Sequence, residues 1–139
     1  MAQTASEAYL KTQVLTAPPE KLQLMLYEGA MRFANQAKEK LAQKDYEASC
    51  DLLVRAQKIV VELICGLRPE VNPGLCAKLA AVYTFIYRRL VEANVTHQAK
   101  AIDDAVQILA IQRDTWLEVL DKLAEERGAE PAPEALVSS

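Results

Sequence analysis

Residues 79–94 read LAAVYTFIYRRLVEAN, and the way they wind decides the fold. A helix turns about 100° per residue. On that winding Leu79, Val82, Ile86, Leu90 and Ala93 share one stripe. Tyr83, Tyr87, Ala80 and Val91 widen it, while Arg88 and Glu92 fall on the opposite, wet side. A core-facing helix needs an apolar arc of only about 100°. Here the arc covers roughly half the circumference at the same winding. The excess predicts either neighbours on two sides or a surface that awaits another chain.

The same winding predicts three further helices. The first runs from Pro19 to about Gln43, with Thr16 as cap and proline where no N–H is needed. Its main stripe is Leu22, Leu26, Phe33, Ala37 and Leu41, and Leu24, Tyr27 and Met31 form a flanking one. The second spans 46–67, capped by Asp45 and stopped by Pro69. Its polar strip, Asp51, Arg55, Lys58 and Glu62, is narrow, and apolar or thiol groups, interrupted by Gln57, take most of the rest. Asn72 caps the third helix, Pro73 opens it, and it ends near Val95. Thr96-His97-Gln98 links to the fourth, Ala99 to Arg127, closed by Gly128. Its stripe is Ile102, Val106, Leu109, Trp116, Leu120 and Leu123, with Trp116 as a core anchor. Arg113 falls inside that stripe, either paired and snorkelling or gripping a partner carboxylate.

Helices of similar length with short links predict an all-α, antiparallel up-down-up-down four-helix bundle over residues 18–128. Residues 1–17 lack sustained periodicity and predict a mobile N-terminal arm, which Tyr9, Val14 and Leu15 make adhesive. Residues 129–139, with two prolines and little bulk, predict a disordered tail.

The whole chain has 139 residues, which is one domain's worth, with 51% hydrophobic and 25% charged residues. Its net charge is −3 and it has no basic run, which argues against a nucleic-acid partner. The cysteines are Cys50, Cys65 and Cys76; an odd count without framework spacing fits reduced thiols in the cytoplasm. No signal-peptide pattern opens the chain, and no apolar run approaches the ~20 residues that span a bilayer. A cytosolic protein without membrane insertion is expected.

Catalysis finds little footing. The single histidine, His97, sits in a link and cannot supply the paired Glu-x-x-His motifs of a di-iron bundle. Cys50 and Cys65 lie about 22 Å apart along one helix at ~1.5 Å per residue, too far to share a metal. Cys65 and Cys76 are too few for zinc. No glycine loop cradles a phosphate. No enzyme, metal or cofactor is expected. What remains is binding. The surplus arcs of the second and third helices suggest a groove for an amphipathic or extended peptide. The alternatives are a slightly wet bundle or a homodimer that uses the same surface.

Five segments carry a resemblance. They are AYLKTQV at 8–14, and TAPP at 16–19 leading to LYEGA at 26–30. Then come AQKI at 56–59 through Glu62-Leu63, YTFIYRRLVEAN at 83–94, and RDTW at 113–116. In this order they resemble the flagellin-specific export chaperones, the FliS family, over residues 8–120. That family usually has Asp or Asn where Glu28 stands; the PAPEA tail is not a family mark, and Cys65 and Cys76 have no known role in it. The resemblance implies a four-helix bundle that binds the disordered C-terminal segment of flagellin in the cytoplasm, prevents premature polymerisation, and delivers the subunit to a component of the flagellar type III export gate. It also implies a client wrapped round the bundle and an N-terminal arm that shields apolar surface beforehand. With that function the arcs nominate flagellin-binding residues: Tyr9 and Val14 in the arm, then Tyr27, Ile59, Leu63, Tyr83, Tyr87 and Leu90. Asn94 is nominated to bond the client backbone. The protein is expected to be a monomer or weak homodimer. The rival is a helical regulatory adaptor of flagellar assembly with no export-chaperone role.

Overall fold

A computed structural model of the chain describes residues 19–128. They form α1 (Pro19–Ala42), α2 (Tyr46–Cys65), α3 (Pro73–Thr96) and α4 (Ala99–Glu126), with no strand among the described residues. Each helix packs along its sequence neighbour, and α4 closes the ring against α1. The diagonal pairs are α1 with α3 and α2 with α4. The result is an all-α four-helix bundle. The arm at 1–17, including Thr16, and the tail at 129–139 lie outside the described residues.

Helix starts follow local chemistry. The Asp45 Oδ1 accepts the Ala48 N–H at 3.2 Å, and the Asn72 Oδ1 accepts the Leu75 N–H at 3.1 Å. Each satisfies a backbone donor that the first helical turn leaves without an internal partner. Pro73 follows Asn72 as the first helical residue.

The ends are less regular. α2 stops at Cys65, two residues short of the predicted Leu67, with Gly66 as its cap. The Gly66 N–H still reaches the Glu62 carbonyl at 3.0 Å, but the Leu67 N–H turns to Ile64 at 3.2 Å, tightening the last turn. Glycine weakens helix persistence, and Pro69 bars its predecessor from helical geometry, so the chain leaves the helix before the proline itself. α1 and α3 end in left-handed residues that are not glycine, Lys44 at φ 59° and His97 at φ 56°. The His97 imidazole stacks on Tyr46, centroids 4.3 Å apart, joining the α3–α4 link to the start of α2.

The core is built from unequal side chains. α1 buries Tyr27, Ala30, Ala34, Ala37 and Leu41. The core-facing side of α1 thus joins Ala37 and Leu41 of the main stripe to Tyr27 of the flanking one, with Ala30 and Ala34 between them. Leu22, Leu24, Leu26, Met31 and Phe33 are only half-buried. α2 sends in Leu53, Ala56, Val60 and Leu63. α3 contributes Tyr83, Ile86, Leu90 and Ala93, and α4 contributes Ala101, Ile102, Ala105, Leu109, Leu120 and Ala124. Trp116 is half-buried against this core, and its indole N–H donates to the Glu20 carbonyl at 2.9 Å, fastening α4 to the start of α1. Arg113, also half-buried, pairs through Nε with the Asp114 carboxylate at 3.0 Å, while its Nη1 approaches Met31 Sδ at 4.0 Å.

Candidate client-binding cleft

The widest apolar arcs in the sequence lie on α2 and α3, and between these two helices the surface is not sealed. A cleft of about 400 Å³ opens there, lined by Val54, Gln57, Lys58, Val61 and Glu62 of α2 and Tyr87 of α3. Val54 and Val61 are seven residues apart, two helical turns, so they stand one above the other. Val61 is 41% exposed, and Val54 and Tyr87 are half-buried. Apolar side chains thus form the floor and remain open to solvent, while Lys58 and Glu62 stand exposed on one rim. Apolar surface rimmed by polar residues is one form that a protein-binding site takes.

The predicted contact residues separate into distinct places. Tyr87 lines the cleft. Asn94 is half-buried two turns further along α3, on the side that carries Tyr87. Ile59 faces elsewhere. It is about 140° round α2 from Val54, at roughly 100° per residue. It packs toward α1, where its Cδ1 would lie 3.3 Å from a Cβ added at Gly29. Tyr27, Leu63, Tyr83 and Leu90 are interior, with exposures of 3%, 3%, 0% and 0%. Each joins the packed core, so none can touch a client while the bundle stays closed. Tyr9 and Val14 lie outside the described residues.

The interior tyrosines have a polar reason to be there. The Tyr27 and Tyr83 hydroxyls are 2.7 Å apart across the α1–α3 diagonal. The Gln23 amide donates to Tyr27 Oη at 2.8 Å and to Tyr83 Oη at 3.3 Å. Burial, reinforced by the Tyr27 hydrogen bond, raises the Tyr83 pKa far above its ordinary 10.0. The rings therefore bury their apolar faces while satisfying their hydroxyls internally.

Sequence reasoning passed over Val54, Gln57, Lys58, Val61 and Glu62 as contacts. The signal was present: two valines a heptad apart, bordering the narrow polar strip of α2. On the other seam of α3, Arg89 bonds Asp104 Oδ2 of α4 through Nη2 at 2.6 Å, and also bonds Glu92. The Arg89 hydrogen bond, with help from Lys100 at 3.3 Å, holds the Asp104 carboxyl below the usual carboxylate range.

The cleft offers shape and apolar surface rather than reactive groups. Among the described residues no group of three His, Cys, Asp or Glu side chains comes together to hold a metal. Cys50 and Cys65 are exposed and Cys76 half-buried, all as free thiols. No helix of the described residues is long and apolar enough to cross a membrane.

Known proteins share this chain's sequence pattern and fold. The chain is 32% identical over 120 residues to the flagellar secretion chaperone FliS of Bacillus subtilis, covering 86% of this chain and 89% of that one. It is 28% identical over 118 residues to the FliS of Salmonella typhimurium, covering 84% and 87% respectively. A crystal structure of a bacterial flagellar chaperone superposes with a TM-score of 0.71 at 24% identity, over 86% of this chain and 99% of that one, and shares the fold. The sequence model of the flagellar protein FliS family matches residues 1–123, and the chain belongs to that family.

Proposed function

We propose that the chain is a cytosolic flagellar export chaperone that holds the C-terminal segment of flagellin, with the α2–α3 cleft as a principal seat. One observation carries this reading: in a member of this family, the two helices with the widest apolar arcs leave Val61 exposed and Val54 and Tyr87 half-buried along an open cleft between them. A flagellin terminus that becomes helical core only in the filament exposes amphipathic stripes beforehand. Seating such a stripe on the cleft floor removes apolar area from water on both partners. Polymerisation is blocked because the covered stripe is the one the filament needs. Ordering a disordered segment opposes binding by several kcal/mol, roughly 2–5, which keeps release possible at the export gate.

The individual roles follow from position. Tyr87 and the two valines contact the client, and the Asn94 amide bonds its backbone. Tyr9 and Val14 of the arm shield apolar surface when no client is present. Tyr27, Leu63, Tyr83 and Leu90 act as scaffold. The protein works as a monomer or weak homodimer, and binding needs no nucleotide.

Monomeric flagellin seeded with filament fragments tests the proposal. With an equimolar amount of this protein, elongation should stop and a one-to-one complex should elute from a sizing column. Unhindered elongation would favour the regulatory-adaptor alternative.

A further inference from the structure

We propose that Lys58 and Glu62 set the direction and register of the bound segment by charge, reading an acidic side chain over Lys58 and a basic one a helical turn away over Glu62. This rests on the cleft being the client's seat.

The cleft floor cannot discriminate between ends of a client. Val54, Val61 and Tyr87 accept any aliphatic side chain, in either chain direction. Discrimination must come from the polar rim. There Lys58 and Glu62 are exposed on the same side of α2, four residues and about 6 Å apart along the axis. At that spacing opposite charges commonly pair, as Lys100 does with Asp104 and, at three residues, Arg89 with Glu92. Among the described residues Lys58 and Glu62 join no such pair. Both charges therefore remain available to a partner.

An amphipathic helix laid in the cleft with its apolar face down carries its flanking charges along that rim. A carboxylate over Lys58 and a cation one turn on over Glu62 match in one direction. Reversing the helix carries that charged flank to the opposite side of the cleft and leaves Lys58 and Glu62 unmatched, while a slip of one turn brings its carboxylate against Glu62, so the rim selects by repulsion as well as attraction. The occupant is thus an amphipathic helical segment with opposite charges a turn apart beside its apolar stripe.

A thermodynamic cycle tests this. One side compares the full chain with its Lys58→Glu/Glu62→Lys double variant. The other compares the flagellin C-terminal segment with a copy in which every acidic residue is exchanged for lysine and every basic one for glutamate. At low salt the double variant should bind the natural segment about fivefold more weakly than the unaltered protein does, and gain on the exchanged copy. Both gaps should shrink at about 0.5 M salt, where the screening length falls to roughly 4 Å. Unchanged affinity for the natural segment, or a loss that salt does not alter, would overturn the proposal. Val61→Glu separates the two levels. If it abolishes binding while the rim variant has no effect, the cleft stands and the charge reading falls. If it binds like the unaltered protein, the cleft reading falls and the charge reading with it.

Discussion

The Tyr83 hydroxyl lies in the bundle interior with Tyr27 and Gln23 as its partners. Removing it leaves the Tyr27 hydroxyl with one partner fewer in a buried place. Tyr83→Phe should therefore cost about 1 kcal/mol of stability at neutral pH without loss of helix, measured by urea unfolding. The same residue gives a pH dependence. Its folded pKa is raised above the ordinary 10.0, so its neutral form is favoured by folding. Below pH 10 both states keep the proton and the contribution is fully present. Above it the unfolded chain ionises while the folded one resists, and stability is lost as pH rises, by up to about 1.4 kcal/mol per unit. The gap between wild type and Tyr83→Phe should narrow in alkali; a constant gap from pH 8 to 11 would contradict the assignment. The helical wheel placed Tyr27 and Tyr83 on wide arcs but not at depth. A tyrosine at an arc's edge suits either an interface or an interior bond, and the deciding partner, Gln23, lies 60 residues from Tyr83.

At the scale of elements, the helix starts were legible because caps are local. Asp45 and Asn72 lie beside the donors they satisfy. The ends were harder, since an end can close on any residue that tolerates a left-handed turn. Lys44 does so at φ 59°, a conformation costing roughly 1–2 kcal/mol for a residue with a Cβ. Lys44→Gly should raise the unfolding free energy by up to about 1 kcal/mol, because glycine adopts that geometry freely but loses more entropy on folding. A destabilised variant would mean the lysine stem contributes packing that outweighs the strain. The core side of α1 was read through its large residues and Ala37, yet Ala30 and Ala34 are enclosed just as fully. Alanine contributes little transfer free energy, so a hydrophobic stripe underweights it. Close packing of two helices, however, needs small residues where the backbones approach.

For the whole molecule, the width of the apolar arcs was informative where the individual contact residues were not. The arcs on α2 and α3 predicted a shared groove, and an open cleft lies between those helices. Its lining depends on where each arc ends, and an error of one residue is about 100°. That is why Tyr87 falls in the cleft while Ile59 faces α1. Val61 offers a clean probe because it is 41% exposed and contributes little to the closed core. Val61→Glu should leave thermal stability within about 0.5 kcal/mol, yet weaken client binding at least tenfold. Loss of folding instead would place Val61 among the scaffold residues.

The central claim is that this bundle keeps an apolar cleft open for a flagellin terminus. Titration calorimetry of the full chain with the flagellin C-terminal segment measures it directly. The account predicts saturable one-to-one binding with a negative heat-capacity change, the mark of apolar burial. No heat of binding at tens of micromolar, checked at two temperatures, would contradict it.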